Sequence, residues 1–331
     1  LRLAFTGARP TRAPWPWVDG RIAALGEKLS GGAERIEKIE QHGRLCRAAR
    51  RMMQVAGLSA CRNIKCCSAW LMRHYPVIGK FGAYAWKTGT CWLILGNGQA
   101  TAILFAREGA KVMLVDSSQE NLGRTRQSIE SEEGECITYV GDVTKAVTCQ
   151  EVVEKTINTY GRLDILHNNV GIGGSGTVVE VSEEDWDRVL EVNIKSMMLM
   201  GKYSVPEMVI RGGGAIINIS SISAIRPRGL TPYTVSKSGV IALTKAMAVD
   251  HAGDGIRVNC ILPGPIYSSM TAPNMTPEKR QIRQNASPLK QEGTPWDVGW
   301  AAVYLASDES KWVTGVSLNV DGGVTLGSPS R

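Results

Sequence analysis

From residue 91 onward the chain alternates short apolar runs with longer stretches whose apolar residues recur every three to four positions. "CWLIL" (91–95), "KVMLVD" (111–116), "CITYVGD" (136–142), "LDILHNN" (163–169), "GAIINIS" (214–220), "IRVNCIL" (256–262) and "GVSLNVDGG" (315–323) read as strands. "ATAILFAREGA" (100–110), "SQENLGRTRQSIESEEG" (118–134), "CQEVVEKTINTYG" (149–161), "EEDWDRVLEVNIKSMMLMGKYSVPEMV" (183–209), "PYTVSKSGVIALTKAMAVDHAG" (232–253) and "DVGWAAVYLAS" (297–307) read as helices. Strands too apolar to keep one face in water, separated by amphipathic helices, predict a parallel sheet covered on both sides. The expected fold is therefore α/β, a doubly wound parallel sheet of five to seven strands forming one domain over residues 90–331, without a second lobe.

Residues 1–89 lack a steady period and read as an unrelated or irregular N-terminal extension. "RPTRAPWPW" is kept from regular structure by its prolines. Residues 33–58 could form a basic amphipathic helix with Ile36, Ile39 and Met53 on one side, interrupted at Gly43. Composition divides at the same place. The net charge is +7, yet residues 1–95 hold 16 Lys and Arg against 5 acids, and the remainder carries 22 against 26. The basic excess thus belongs to the first third. Without aromatic interleaving or a motif it implies no nucleic-acid partner. Five of eight cysteines and five of nine tryptophans also lie there.

Cys61, Cys66, Cys67 and His74 match no common zinc spacing, so no metal is expected. Cys136, Cys149 and Cys260 are isolated, which suits a reducing compartment, and the cytoplasm is the expected location. An Arg-rich opening with no acid before Asp19 resembles a mitochondrial transit peptide, a lesser alternative. Apolar runs are too short for a membrane span.

Four features carry candidate chemistry. A strand running into Gly96-Asn97-Gly98 and then a helix can present backbone N–H groups to a pyrophosphate; a plain tight turn would look the same. Asp116 ends the next strand 18 residues beyond Gly98, close to the spacing of about 20 for a carboxylate on an adenosine ribose. Nothing basic follows at Ser117 or Ser118, which favours NAD over NADP. Tyr233 and Lys237 lie four apart on a helix that Pro232 can begin, so a neighbouring ammonium could lower the phenol's pKa; a surface pair is the bland alternative. "NISSIS" ends a strand in serines about twelve residues before Tyr233.

In this order, Gly-x-Gly, Asp116, "NNVG", Asn193, Ser221, Tyr233-xxx-Lys237 and "PGPI" resemble the short-chain dehydrogenase/reductase family over about residues 96–323. The resemblance implies a Rossmann-type fold and an NAD(H)-dependent oxidoreductase interconverting a secondary alcohol and a ketone. Tyr233 would exchange the proton at the substrate oxygen, and Lys237 would lower its pKa and hold the nicotinamide ribose. Ser221 would orient the substrate, with Ser220 the alternative register. Asn193 would hold a relay water. Cofactor contacts would come from Gly96, Asn97, Gly98 and Asp116, from Asp142 and Val143 near the adenine, and from Asn169, Val170 and Gly171. Pro263, Gly264, Ile266 and Ser268 would hold the nicotinamide amide.

The resemblance also implies a homodimer or homotetramer through helices near 185–209 and 233–252. Met197, Met198 and Met200 would suit that face, or the core equally well. Substrate lining is expected from 223–230 and 267–284, the latter placed like a lid. Arg226 and Arg228 are candidates for an acidic substrate or plain solvated charges.

The departure is at the glycine loop, T-G-x-x-x-G-x-G in the family, where Cys91 and Trp92 stand in place of Thr and the first Gly. Either "CWLIL" is the first strand with a shortened loop, or residues 1 to about 95 are foreign to the domain and its first strand is absent. The second reading leaves room for a noncatalytic relative that keeps the scaffold, binds cofactor poorly and acts through partner contacts.

Overall fold

A computed structural model describes residues 95–327, all within the unit Trp92–Arg331. The extension over 1–89, the helix at 33–58, the cysteine–histidine group and residues 91–94 of "CWLIL" lie outside the described residues. The elements run α1 (Asn97–Arg107), β1 (Val112–Asp116), α2 (Gln119–Glu130), β2 (Cys136–Val140), α3 (Ala146–Tyr160) and β3 (Ile165–Asn168). Then come α4 (Glu183–Leu190), a π-helical turn (Glu191–Lys195), α5 (Ser196–Ile210), β4 (Gly214–Ile219) and α6 (Thr231–Asp250). β5 (Ile256–Pro263), α7 (Pro277–Ala286), α8 (Pro295–Ala306) and β6 (Ser317–Val320) complete the order.

The α/β reading holds: every strand pairing is parallel, and helices separate the strands. β4 and β5 are buried along nearly their whole length, as strands covered on both faces must be. Ile217, Ile219 and Ile261 pack towards Val298, Ala302 and Leu305 of α8. Ile216 and Val258 face the other way, with Leu199, Met208 and Met247. Ends are marked by ordinary chemistry. Ser118 and Ser182 cap α2 and α4, Thr294 and Asp297 form a capping box on α8, and Gly161 ends α3 in the left-handed region at φ 75°. Arg257 on β5 donates to the Leu305 and Ser307 carbonyls (2.9 and 3.1 Å), closing the C-terminus of α8.

Several expectations shift. α1 starts at Asn97 rather than residue 100, because Gly98 and Gln99 already belong to its first turn. The stretch 183–209 is α, then π, then α, with Asn193 in the wide turn. Met197 and Met200 are buried, whereas Met198 is 43% exposed and borders a surface groove with Leu190, Ile194 and Leu243.

The sheet is in two pieces among the described residues, ordered β1-β2 and β3-β4-β5-β6. In a parallel ladder the N–H and C=O of one residue point to the same neighbour, and those of the next residue point away. Val112 N–H donates to the Glu135 carbonyl and Gly141 N–H to the Asp116 carbonyl, so Met113 and Val115 direct their backbone groups away from β2. Ala215 N–H donates to the Asp164 carbonyl, so Ile165 and His167 face away from β4. Both edges line one cavity.

Candidate active site

The cavity, about 2030 Å³, extends along the carboxyl ends of the strands and into the space between β1 and β3. At one end stands the N-terminus of α1. Gly96 gives it no side-chain cap and its first turn holds no acid, so its leading N–H groups are available to an anion. Gly98 leaves room for Asn169: a Cβ there would lie 2.6 Å from Asn169 Nδ2, so that side chain would have to move. At Gly96 it would approach Ser269 Oγ to 3.2 Å. Asn97 Oδ1 is buried without a hydrogen-bond partner among the described residues.

Asp116 ends β1 at the cavity wall, its Oδ1 accepting from Ser118 N–H at 2.8 Å. Asp142 follows β2 and accepts from Thr144 N–H at 2.9 Å, a bond that holds its carboxyl below the usual range. Val143 beside it is buried. Asn169, Val170 and Gly171 continue from β3 along the same wall. A Cβ on Gly171 would lie 3.1 Å from Lys237 Nζ and 3.2 Å from Asn193 Oδ1, so this turn and the catalytic candidates are in close contact.

Asn193 is completely buried. Its Oδ1 accepts from Ile172 N–H (2.7 Å), and its Nδ2 donates to the Ile172 carbonyl and the Ser236 hydroxyl, each at 3.0 Å. Both amide donors therefore have protein partners, and the side chain joins the turn after β3 to α6. A π-turn shifts the helix face by one residue, which aims Asn193 inward.

α6 opens with Pro232 in its first turn and brings Tyr233 and Lys237 to one face. Burial pushes the Tyr233 phenol above its ordinary value, while a hydrogen bond with the Ser221 hydroxyl and the Arg228 charge pull it back. Lys237 is 3% exposed. Desolvation lowers its ammonium to about 8. Nζ donates to the Ile219 carbonyl at 2.9 Å and sits over the Tyr233 ring, 5.8 Å from its centroid. The ammonium is thus a neighbour of the Tyr233 ring.

The two serines separate cleanly. Ser220 Oγ donates to the Lys237 carbonyl at 2.7 Å and serves the helix. Ser221 Oγ, at the end of β4, accepts from Ser223 N–H (3.1 Å) and faces Tyr233.

From the end of β5 onward, Pro263, Gly264, Ile266 and Ser268 also line the cavity. A Cβ on Gly264 would meet Asp321 Cα at 2.5 Å, so the chain can pass there only as glycine. Thr271 Oγ1 accepts from Ser268 N–H at 3.0 Å and donates to the Ile266 carbonyl at 3.0 Å, folding the loop on itself. Of the two loop arginines, Arg226 is bound to the Val324 carbonyl, and Arg228 lines the cavity.

One supporting network went unrecognised in the sequence. Asn168 Nδ2 donates to Asn218 Oδ1 (2.9 Å), and Asn218 Nδ2 donates to Thr244 Oγ1 (3.0 Å), tying β3, β4 and α6 through the core. The signal was the asparagine in the otherwise apolar "GAIINI". A polar residue in a doubly covered strand needs an internal partner.

The fold and this arrangement define a dinucleotide-type α/β oxidoreductase, and comparison names the class: the chain belongs to the short-chain dehydrogenase/reductase family, whose members act on hydroxyl and keto groups. A family model described as enoyl-(acyl carrier protein) reductase matches residues 95–325. The chain is 42% identical over 233 residues to 3-oxoacyl-[acyl-carrier-protein] reductase FabG of Thermotoga maritima, covering 70% of this chain and 94% of that one. It is 32% identical to human dehydrogenase/reductase SDR family member 4, covering 82% and 95%. Among solved structures it resembles a 7α-hydroxysteroid dehydrogenase complexed with NADH and 7-oxo glycochenodeoxycholic acid (TM-score 0.67, 32% identity, 69% and 89% covered). It also resembles a short-chain dehydrogenase/reductase from Burkholderia xenovorans (TM-score 0.68, 35%, 73% and 93%).

Proposed function

We propose that this chain is an NAD(H)-preferring oxidoreductase that interconverts a secondary alcohol and a ketone. The observation that carries the reading is the placement of Ser221, Tyr233 and Lys237 on the same cavity as the uncapped N-terminus of α1 and Asp116. The residues fit a dinucleotide. The α1 N-terminus with Gly96, Asn97 and Gly98 would take the pyrophosphate, and Asp116 the adenosine ribose hydroxyls. Asp142 and Val143 would flank the adenine, and the 263–268 loop would hold the nicotinamide amide. Bound there, the dinucleotide supplies or accepts the hydride at the substrate carbon.

This chain's own residues handle the proton and the alignment. In reduction the Tyr233 hydroxyl donates its proton to the substrate oxygen, and Ser221, hydrogen-bonded to the phenol, orients that oxygen. Lys237 lies beside the ring, where its charge would favour the phenolate left behind. Asn193 and Gly171 keep Lys237 and the turn after β3 in register. A carboxylate at Asp116 repels a 2′-phosphate, which supports NAD over NADP. Self-association would use the helices near 185–209 and 233–252, where Met198 is exposed.

The test is Tyr233→Phe, assayed with NADH against a panel of ketones. Turnover should fall by about 10²–10⁴-fold while NADH binding persists. A variant that turns over at near the parent rate contradicts the assignment. One observation favours a second reading, a noncatalytic relative: the edges of β1 and β3, unpaired among the described residues, lie beside the cofactor cleft. Failure of the parent protein to bind NADH would select it.

A further inference from the structure

The loop after β5 is held from behind by a charge cluster that the mechanism above does not use. Glu292 precedes α8, and its side chain is only 3% exposed. Its Oε2 accepts from Arg280 Nε at 2.8 Å and its Oε1 from Arg283 Nε at 2.6 Å. The second arm of Arg283, Nη2, donates to the Ile266 carbonyl at 2.9 Å. Arg280 stacks over the Tyr267 ring at 3.8 Å. The main chain adds two bonds, Tyr267 N–H to the Gly293 carbonyl (2.9 Å) and Gly293 N–H to the Pro265 carbonyl (3.1 Å).

A carboxylate this buried needs charged partners, and two guanidinium groups from successive turns of α7 provide them. Guanidinium is a planar, rigid fork. Whatever fixes Arg283 at Nε therefore also fixes the direction of Nη2, and with it the Ile266 carbonyl. Without the carboxylate, Arg280 and Arg283 would face each other as like charges and swing outward, and the Arg283–Ile266 bond would be lost. Among the described residues, the cluster's hydrogen bonds and ion pairs run within α7, Glu292 and the loop after β5, whereas the adenine side of the cavity is built on β1 and β2.

We infer that Glu292 is a positioning residue for the nicotinamide half of the dinucleotide, acting through Arg283 on the 263–268 loop. The inference rests on the reading that this loop receives that half. It also gives the two arginines of α7 a common role: through them the helix is latched to the loop after β5.

The experiment is calorimetric titration of the full chain and its Glu292→Gln and Arg283→Lys variants with NADH and with ADP-ribose, which keeps the adenine half and pyrophosphate but lacks nicotinamide. Both variants should bind NADH roughly tenfold more weakly and ADP-ribose within about twofold of the parent. The ADP-ribose arm also reports that each variant is folded. Parallel weakening of both ligands would make the cluster merely structural and overturn the inference, as would unchanged NADH affinity in both variants. A parent protein that binds neither ligand overturns the cofactor reading itself, a distinguishable failure.

Discussion

Lys237 shows how a single residue can serve function against stability. Its folded-state value of about 8 lies below the ordinary value of 10.5, so burial penalises the charged form. That penalty is fully present below pH 8, where both folded and unfolded chains carry the proton. It fades as pH rises towards 10.5, because the folded state releases its proton first. Replacing Lys237 by Met removes the titration. Between pH 7.5 and 9.5 the parent should therefore gain on the order of 2 kcal/mol relative to Lys237→Met, measured by denaturant unfolding at each pH. A constant difference across that range would show that the ammonium is not desolvated. The candidate residues at this scale could be named from the sequence because Gly-x-Gly, Asp116, the serine pair and Tyr-x-x-x-Lys stand in the order of the family they resemble. Their contacts could not. That Lys237 donates to the Ile219 carbonyl, and that Ser220 is taken by the helix backbone, depends on how β4 packs on α6.

At the scale of elements, the two sheets make the sharpest claim. Met113, Val115, Ile165 and His167 point their backbone groups into the space between β1 and β3. His167 Nε2 is enclosed there without a partner among the described residues, and desolvation lowers its imidazole to about 4. Residue-resolved hydrogen exchange should find these four amides roughly tenfold or more faster than those of Leu114 and Leu166, which face the existing ladders. Equal protection would mean that a further strand fills the space. The sequence located six strands and most of the helices between them from their apolar patterns, but it missed α7, whose polar run 277–286 reads only as a lid-like stretch. It could not separate α4, the π-turn and α5, since a one-residue bulge leaves the apolar repeat almost unchanged. Nor could it show that Glu292, in a loop without periodicity, reaches two arginines on α7.

For the whole molecule, the +7 charge is misleading. The described residues belong to the part where acids outnumber bases, and none of their helices is long and apolar enough to cross a membrane. What matters at this scale is that one continuous cavity joins the anion-ready N-terminus of α1, the carboxylates after β1 and β2, and the Ser221–Tyr233–Lys237 group. That continuity is the central claim, because a single extended dinucleotide must touch all three. It is tested most directly by titrating the protein with NADH and NADPH while following nicotinamide fluorescence, in the parent and in Asp116→Ala. The account predicts saturable enhancement, with NADH bound about tenfold more tightly than NADPH in the parent and the preference lost in the variant. No enhancement with either nucleotide, or a preference that survives Asp116→Ala, would contradict it.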